Sequence, residues 1–399
     1  MMAKRYNLLP WILPLVLLVV QCKKDDGDEC PACPKITSIS PSHGPYGAEV
    51  TLSGSNFSST LTNNLVRFNG TTVPSSDMVS GSTTKLVVKV PKGCGTGPVT
   101  VYLDADLYSD PGPVFTYDLT ELISVFAGQP GVAANPAGPV PLGQAQFDTP
   151  REIVVDKAGI VIVLDKMNDK VKKYDPSTGM FKTVNVFGTP DLIFLDDLDN
   201  LYIGSNNGSQ CTVYKCVSGS FNAVNFKFLD IQNYGVSVNY AVIDDQSNIY
   251  AAVTNQFGEI STIVKYPQFS GESVLLSLPL VAGMQIKDTL IYAAINQWTG
   301  FSTVPFVIKA GISAGQVDTV VNKAHCSVIA VLHALTLKGQ AAFVSDSQSG
   351  LIYDSQPTGS LSKYLSTSFN LASGMAFDPQ GNLYVAESLE HCIKKIKFE

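Results

Sequence analysis

Two kinds of stretch in this sequence hold side chains able to bind or transform a ligand. One is a series of polar residues that enter apolar segments: Arg151-Glu152, Asp191, Asn239-Tyr240, His333 and Ser373. Charges of both signs and a phenol, brought to one place, would hold a small polar molecule; the same groups would equally serve as a self-satisfied structural cluster. The other is a pair of segments with a common triplet, Asn255-Gln256-Phe257 and Asn296-Gln297-Trp298. An aromatic ring flanked by amides suits a sugar, because the ring stacks on the apolar face of a pyranose while the amides bond its hydroxyls. Packing of a loop aromatic on its neighbours is the structural alternative. Bond-breaking chemistry has fewer candidates. No Gly-x-Ser-x-Gly elbow, phosphate loop or His-Glu-x-x-His occurs. Beyond residue 119 stand His325, His333 and His391, and a three-histidine zinc site would need all of them at about 2.1 Å from one ion.

Short strands must position these residues, because the sequence around them repeats. GNLYVAE, from Gly381 to Glu387, has weaker copies in LDNLYIGS, QSNIYAAV, DTLIYAAI, GQAAFVSD and KAGIVIVLD. Their anchor residues Ile162, Tyr202, Tyr250, Tyr292, Phe343 and Tyr384 are spaced by 40, 48, 42, 51 and 41. Six such units, each holding several short strands, predict a six-bladed β-propeller over 119–399. In that alignment Arg151, Asp191, Asn239, Ala282, His333 and Ser373 begin the innermost strands and converge on one mouth of the channel. The two triplets follow anchor strands at the same mouth, where independent loops point at one spot. A ring must not leave its last sheet with an open edge, so Leu122–Phe126 is expected to pair with Ile393–Phe398. Ahead of the propeller, 34–118 is rich in Gly, Ser and Thr, with alternating runs such as Val50/Leu52 and Leu86/Val88/Val90. Period-two runs between turn residues describe a sandwich of seven or so strands. The fold class is therefore all-β: an Ig-like β-sandwich followed by a six-bladed β-propeller.

The wording of these segments resembles known families. ITSISPSHGPYGAEVTLSGSNF, VRFNGTTV, KLVVKVPKGCGTGPVTVYL and VFTY resemble the IPT/TIG family of immunoglobulin-like domains. The resemblance implies that Pro41, Gly44, Gly47, Gly54, Asn56 and Phe57 shape turns of a spacer or docking block, with His43 a solvated loop residue. Phe147–Tyr174 and Phe369–Ile396 are similar to the NHL repeat family almost position by position, and His391 then falls on a histidine position that is ordinary blade structure. Relatives of that family include a zinc lyase with three channel histidines, and similar propellers are calcium lactonases. Under that enzymatic alternative Glu152, Asp191 and Asn239 would supply acids and an amide.

At the start, Lys4 and Arg5 precede a 13-residue apolar run from Leu8 to Val20, too short to span a membrane and shaped like a secretory signal. Val19-Val20-Gln21-Cys22 resembles a bacterial lipoprotein signal, which implies a signal peptide over 1–21, lipidation of Cys22 and a tether over 22–33. Lys23–Glu29 resembles the acidic export tag of surface lipoproteins. Loss of the signal leaves 25 basic against 34 acidic residues, a balance of −9 that repels phosphate backbones, so nucleic acid is not an expected partner. Cys30 and Cys33 suit a local disulfide or free thiols in a tether; no second pair at metal-ligand spacing answers them. The expected protein is a non-enzymatic, outer-membrane lipoprotein facing the cell exterior, held to the membrane by its lipid alone and without a cofactor. It resembles surface glycan-binding proteins that feed polysaccharide to transporters. Docking of a surface protein, or a metal-dependent lyase or lactonase activity, is the alternative.

Overall fold

The computed structural model describes residues 30–398 apart from 104–106, 137, 270, 314–315 and 326–328. The signal segment 1–21, Cys22 and the tether up to residue 29 lie outside the described residues, as does the side chain of His325. The chain divides into two compact units between Asp118 and Leu119.

In the first unit, alternation decides the layers. Lys35–Ser40, Glu49–Ser55, Lys85–Lys89 and Met78–Gly81 form one sheet; His43–Gly44, Val114–Tyr117, Gly97–Tyr102, Leu65–Phe68 and Thr71–Thr72 form the other. Every second residue faces inward, so Val50, Leu52, Leu86, Val88, Val66, Phe68, Val99, Val101 and Phe115 are fully buried between them. A Cβ on Gly54 would stand 1.9 Å from the carbonyl oxygen of Lys35, so this crossing of the first two long strands tolerates glycine alone. Cys30 and Cys33 are disulfide-bonded, and Asn56 fastens that loop by donating to the carbonyls of Pro31 and Cys33 at 2.8 and 2.9 Å. His43 is exposed and pairs with Asp118 at 2.7 Å.

The second unit holds six four-stranded antiparallel blades, the first extended by the short strand Val140–Pro141. Innermost strands are Pro150–Val155, Leu192–Leu195, Ser237–Ile243, the second half of Ser273–Lys287, Leu332–Lys338 and Ala372–Phe377. Blades three and four share that long strand. Its first half pairs with Ile260–Tyr266 as the outer edge of blade three, and from Leu280 onward it pairs with Leu290–Trp298 as the inner strand of blade four. Closure follows the expected route. Glu121–Gly128 pairs antiparallel with Cys392–Phe398, with Leu122 opposite Lys397 and Ile123 opposite Ile396. The sixth blade thereby acquires its fourth strand from the opposite end of the unit.

The repeat owes its sequence to a turn. In blade two, Asp196 Oδ1 accepts from the backbone N–H of Leu198 and Asn200 at 2.9 Å, while Oδ2 accepts from the Asn200 amide at 2.8 Å and the Tyr202 hydroxyl at 3.0 Å. Asp244, Asn248 and Tyr250 repeat this arrangement in blade three, and Asp378 with Asn382 in blade six. The anchor tyrosine is thus a structural residue with its hydroxyl spent on the turn, and its ring lies under a cross-strand lysine: Lys215 on Tyr202, Lys265 on Tyr250 and Lys395 on Tyr384. Three residues beyond the anchor, blades one, five and six carry a buried acid, and in blades one and six a lysine pairs with it. Asp165 accepts from the Asp148 N–H and pairs with Lys172 at 2.6 Å; Glu387 accepts from the Asn370 N–H and pairs with Lys394 at 2.7 Å. These shared devices explain why the first and last copies match best in sequence.

Candidate functional site

At the mouth where the inner strands begin, side chains of each blade grip the next. Asn206 bonds both the N–H and the carbonyl of Val238, at 2.9 and 3.0 Å. Asn296 does the same to Leu332, at 3.0 and 2.8 Å. Lys166 reaches the Pro190 carbonyl at 3.2 Å, Ser345 the Ala372 carbonyl at 2.8 Å and Ser388 the Pro150 carbonyl at 2.6 Å. Several residues expected to bind ligand are therefore committed to the ring. Asn296 is buried with its whole amide on Leu332. Asp191 is satisfied by Lys166 at 2.6 Å and the Asn206 N–H at 2.7 Å. Asn239 bonds Ser237 and Thr254 beside it, at 3.2 and 2.9 Å. Asn255 forms the turn of its own loop, accepting from the Glu259 N–H at 3.0 Å. A polar side chain inside a strand end meets backbone groups that need partners more often than it meets solvent. His391 likewise stands in blade structure: it adopts a left-handed backbone and its Nδ1 accepts from the Thr149 N–H at 3.1 Å.

Arg151, Glu152, Tyr240 and His333 do come together. The Arg151 guanidinium lies close to the Tyr240 phenol, Glu152 and Asp191. Burial opposes its charge, yet Glu152, Tyr240 and Asp191 outweigh that and raise its pKa further. Burial pushes the Glu152 carboxyl up to about 7 against the pull of Arg151. It also pushes the Tyr240 phenol up to about 12, while burial and the nearby Arg151 hold His333 below the ordinary histidine range. Directly beneath this layer lies a channel of about 530 Å³, bounded by Glu152 and Tyr240 at one end and by Lys157, Asp197, Gly339 and Pro379 at the other. Arg151, Asp191, Asn239 and His333 do not line it.

Gln297 and Trp298 of the second triplet line a different cavity, and Asn255, Gln256 and Phe257 of the first line neither. A groove of about 370 Å³ runs between blades three and four, with Glu259 and Ile260 on one side, Gln297 and Trp298 on the other, and Ser277, Leu278 and Pro279 of the shared strand between them. It shares no lining residue with the channel. The physical reason is radial. The loops follow the second strand of each blade, one strand spacing of about 4.8 Å further from the axis than the inner strand. Trp298 is 60% exposed and Phe257 72% exposed; Gln256 is exposed, and Gln297 accepts from Lys323 through its carbonyl, while its amide N–H groups have no partner among the described residues. Glu259, Ser277 and the crossing at Leu278-Pro279 escaped sequence reasoning. The signal for them was Pro279, an interruption in a long apolar run that marks where the strand changes blades.

The comparisons with known proteins fit this architecture. The family model described as IPT/TIG domain matches residues 34–117. No curated protein matches the chain in sequence. Among solved structures, a structural genomics protein of unknown function from Bacteroides thetaiotaomicron is 15% identical, with 93% of this chain and 99% of that one covered at a TM-score of 0.58. An auxiliary nutrient binding protein from the same organism is 14% identical (92% and 98% covered, TM-score 0.55). Another from Bacteroides ovatus is 13% identical (92% and 98%, TM-score 0.53). Likeness at these identities is likeness of fold. The chain carries an IPT/TIG domain followed by a six-bladed β-propeller, an all-β arrangement similar to that of these Bacteroides proteins.

Proposed function

We propose that this chain is a surface lipoprotein that captures a nutrient glycan without transforming it, and that the glycan lies in the groove between blades three and four. The observation that carries this reading is the exposed Trp298 ring at the wall of a concave groove of about 370 Å³. Around it stand a carboxylate from Glu259, a hydroxyl from Ser277 and the amide of Gln297. An aromatic face with a few placed acceptors and donors matches a pyranose, apolar on its faces and hydroxylated at its rim. The likeness in fold to auxiliary nutrient binding proteins supports a role in uptake, and the lipoprotein-like start supports placement at the outer membrane.

A glycan array followed by Trp298→Ala tests the reading. Stacking on an indole contributes about 1–2 kcal/mol, so the variant is expected to weaken an oligosaccharide hit roughly tenfold with the fold intact. No glycan hit, or a hit indifferent to the variant, turns the reading toward a protein partner docked on a broad face.

A further inference from the structure

The channel has a chemistry of its own. Its volume of about 530 Å³ falls in the range of ligand pockets, roughly 300–1,000 Å³. At its inner end Glu152 Oε2 accepts from the Ile193 N–H at 2.8 Å, but Oε1 is closed off from the channel as well as from bulk solvent and has no hydrogen-bond partner among the described residues, so a ligand in the channel meets it when the carboxyl turns toward the channel. An unpaired buried carboxyl oxygen is disfavoured in a native structure and marks a place for a missing partner.

The groups that face Glu152 narrow what that partner is. Arg151 is shared with Tyr240 and Asp191, and Lys166 is held by Asp191 and the Pro190 carbonyl. With the carboxyl pushed up to about 7, acid and carboxylate are both populated at neutral pH. A group on Oε1 must therefore accept from the acid and donate to the carboxylate. A hydroxyl does both; an ammonium only donates, and a second carboxylate only accepts. Below Glu152 the lining includes Val242, Met284, Leu335 and Met375, whose side chains belong to the hydrophobic cores beside the channel.

We propose that the channel is a second binding site, for a small neutral hydroxyl-bearing molecule such as a single sugar ring or a polyol. The molecule enters from the face carrying Asp197 and Pro379 and places one hydroxyl on Glu152. This site is independent of the groove.

The test uses the full chain carrying Trp298→Ala, so that binding in the groove is weakened about tenfold and the Glu152 variants report the channel, with glucose, galactose, mannose, xylose and glycerol as probes. Calorimetry is expected to show saturable binding of at least one. Glu152→Leu in the same background is expected to lower that affinity about tenfold, whereas Glu152→Gln, which keeps size and hydrogen-bonding capacity, changes it less than about threefold. Should the leucine variant fail to fold, methionine methyl NMR of the Glu152 protein decides: the bound probe is expected to shift Met284 and Met375 and to leave the exposed Met167 in place. Absence of saturable binding, binding unchanged by Glu152→Leu, methyl shifts that spare Met284 and Met375, or preference for propylammonium over every polyol overturns the proposal.

Discussion

Asn296 and Trp298 belong to one triplet and have opposite fates. Asn296 is buried with both ends of its amide on Leu332, while Trp298, at the end of the hairpin, is 60% exposed. Asn296→Ala strips two bonds and leaves a buried N–H and carbonyl unpaired, an expected loss of about 2–3 kcal/mol. Trp298→Ala is expected to stay within about 0.5 kcal/mol of the parent; thermal or urea melts that rank the two equally would contradict the assignment of clamp and platform. Glu152 sets a pH dependence. An unfolded glutamate titrates near 4.5 and the folded one at about 7, so the folded state holds the proton more tightly. The contribution of this group to stability is full below pH 4.5 and is lost as pH rises through about 7. Glu152→Gln is therefore expected to melt with the parent near pH 4.5 and above it at pH 8. A melting difference that stays constant across that range would count against a raised pKa. Which polar residues remain free was not legible in the sequence. Nothing in the letters separates Asn296, held by a strand of the next blade, from Gln256, which faces solvent.

The ring is closed by a strand made some 270 residues before its partner: Ser124 stands opposite Lys395. Removal of the chain through Asp118 is expected to leave a soluble propeller, whereas removal through Gly128 strips the outer strand from blade six and exposes the backbone of Cys392–Phe398. Light scattering during expression and refolding separates the two; equal behaviour would mean that closure does not depend on this strand. The pairing was readable because a ring of blades leaves no sheet edge open and Leu122–Phe126 offered a strand ahead of the first repeat. The strand shared by blades three and four was not. Pro279 inside Ser273–Lys287 reads as a break, since a proline cannot donate to a ladder, yet it stands where the strand leaves Ile260 for Asn296. The continuous backbone through that exchange lines the groove.

For the whole molecule, the lipoprotein reading places the anchor at Cys22, outside the described residues. A Cys22→Ser variant is expected to move from the membrane fraction to the soluble fraction, because acyl chains contribute roughly 0.8 kcal/mol per buried methylene and this chain would lose all of them; continued fractionation with the outer membrane would remove the lipid anchor from the reading. By itself the sequence determined the two architectures and the number of blades. Alternation and a repeat of forty-odd residues are properties of local sequence, and each unit buries its apolar face only against another. It also determined that blades one and six are the best copies, and the structure supplies the reason in the acid–lysine pairs Asp165–Lys172 and Glu387–Lys394. Only the tertiary structure decided that Glu152 and Tyr240 line one cavity and Gln297 and Trp298 another. That separation depends on the distance of each strand from the axis and on which backbone groups of the neighbouring blade lack partners, and both arise when the blades pack against one another.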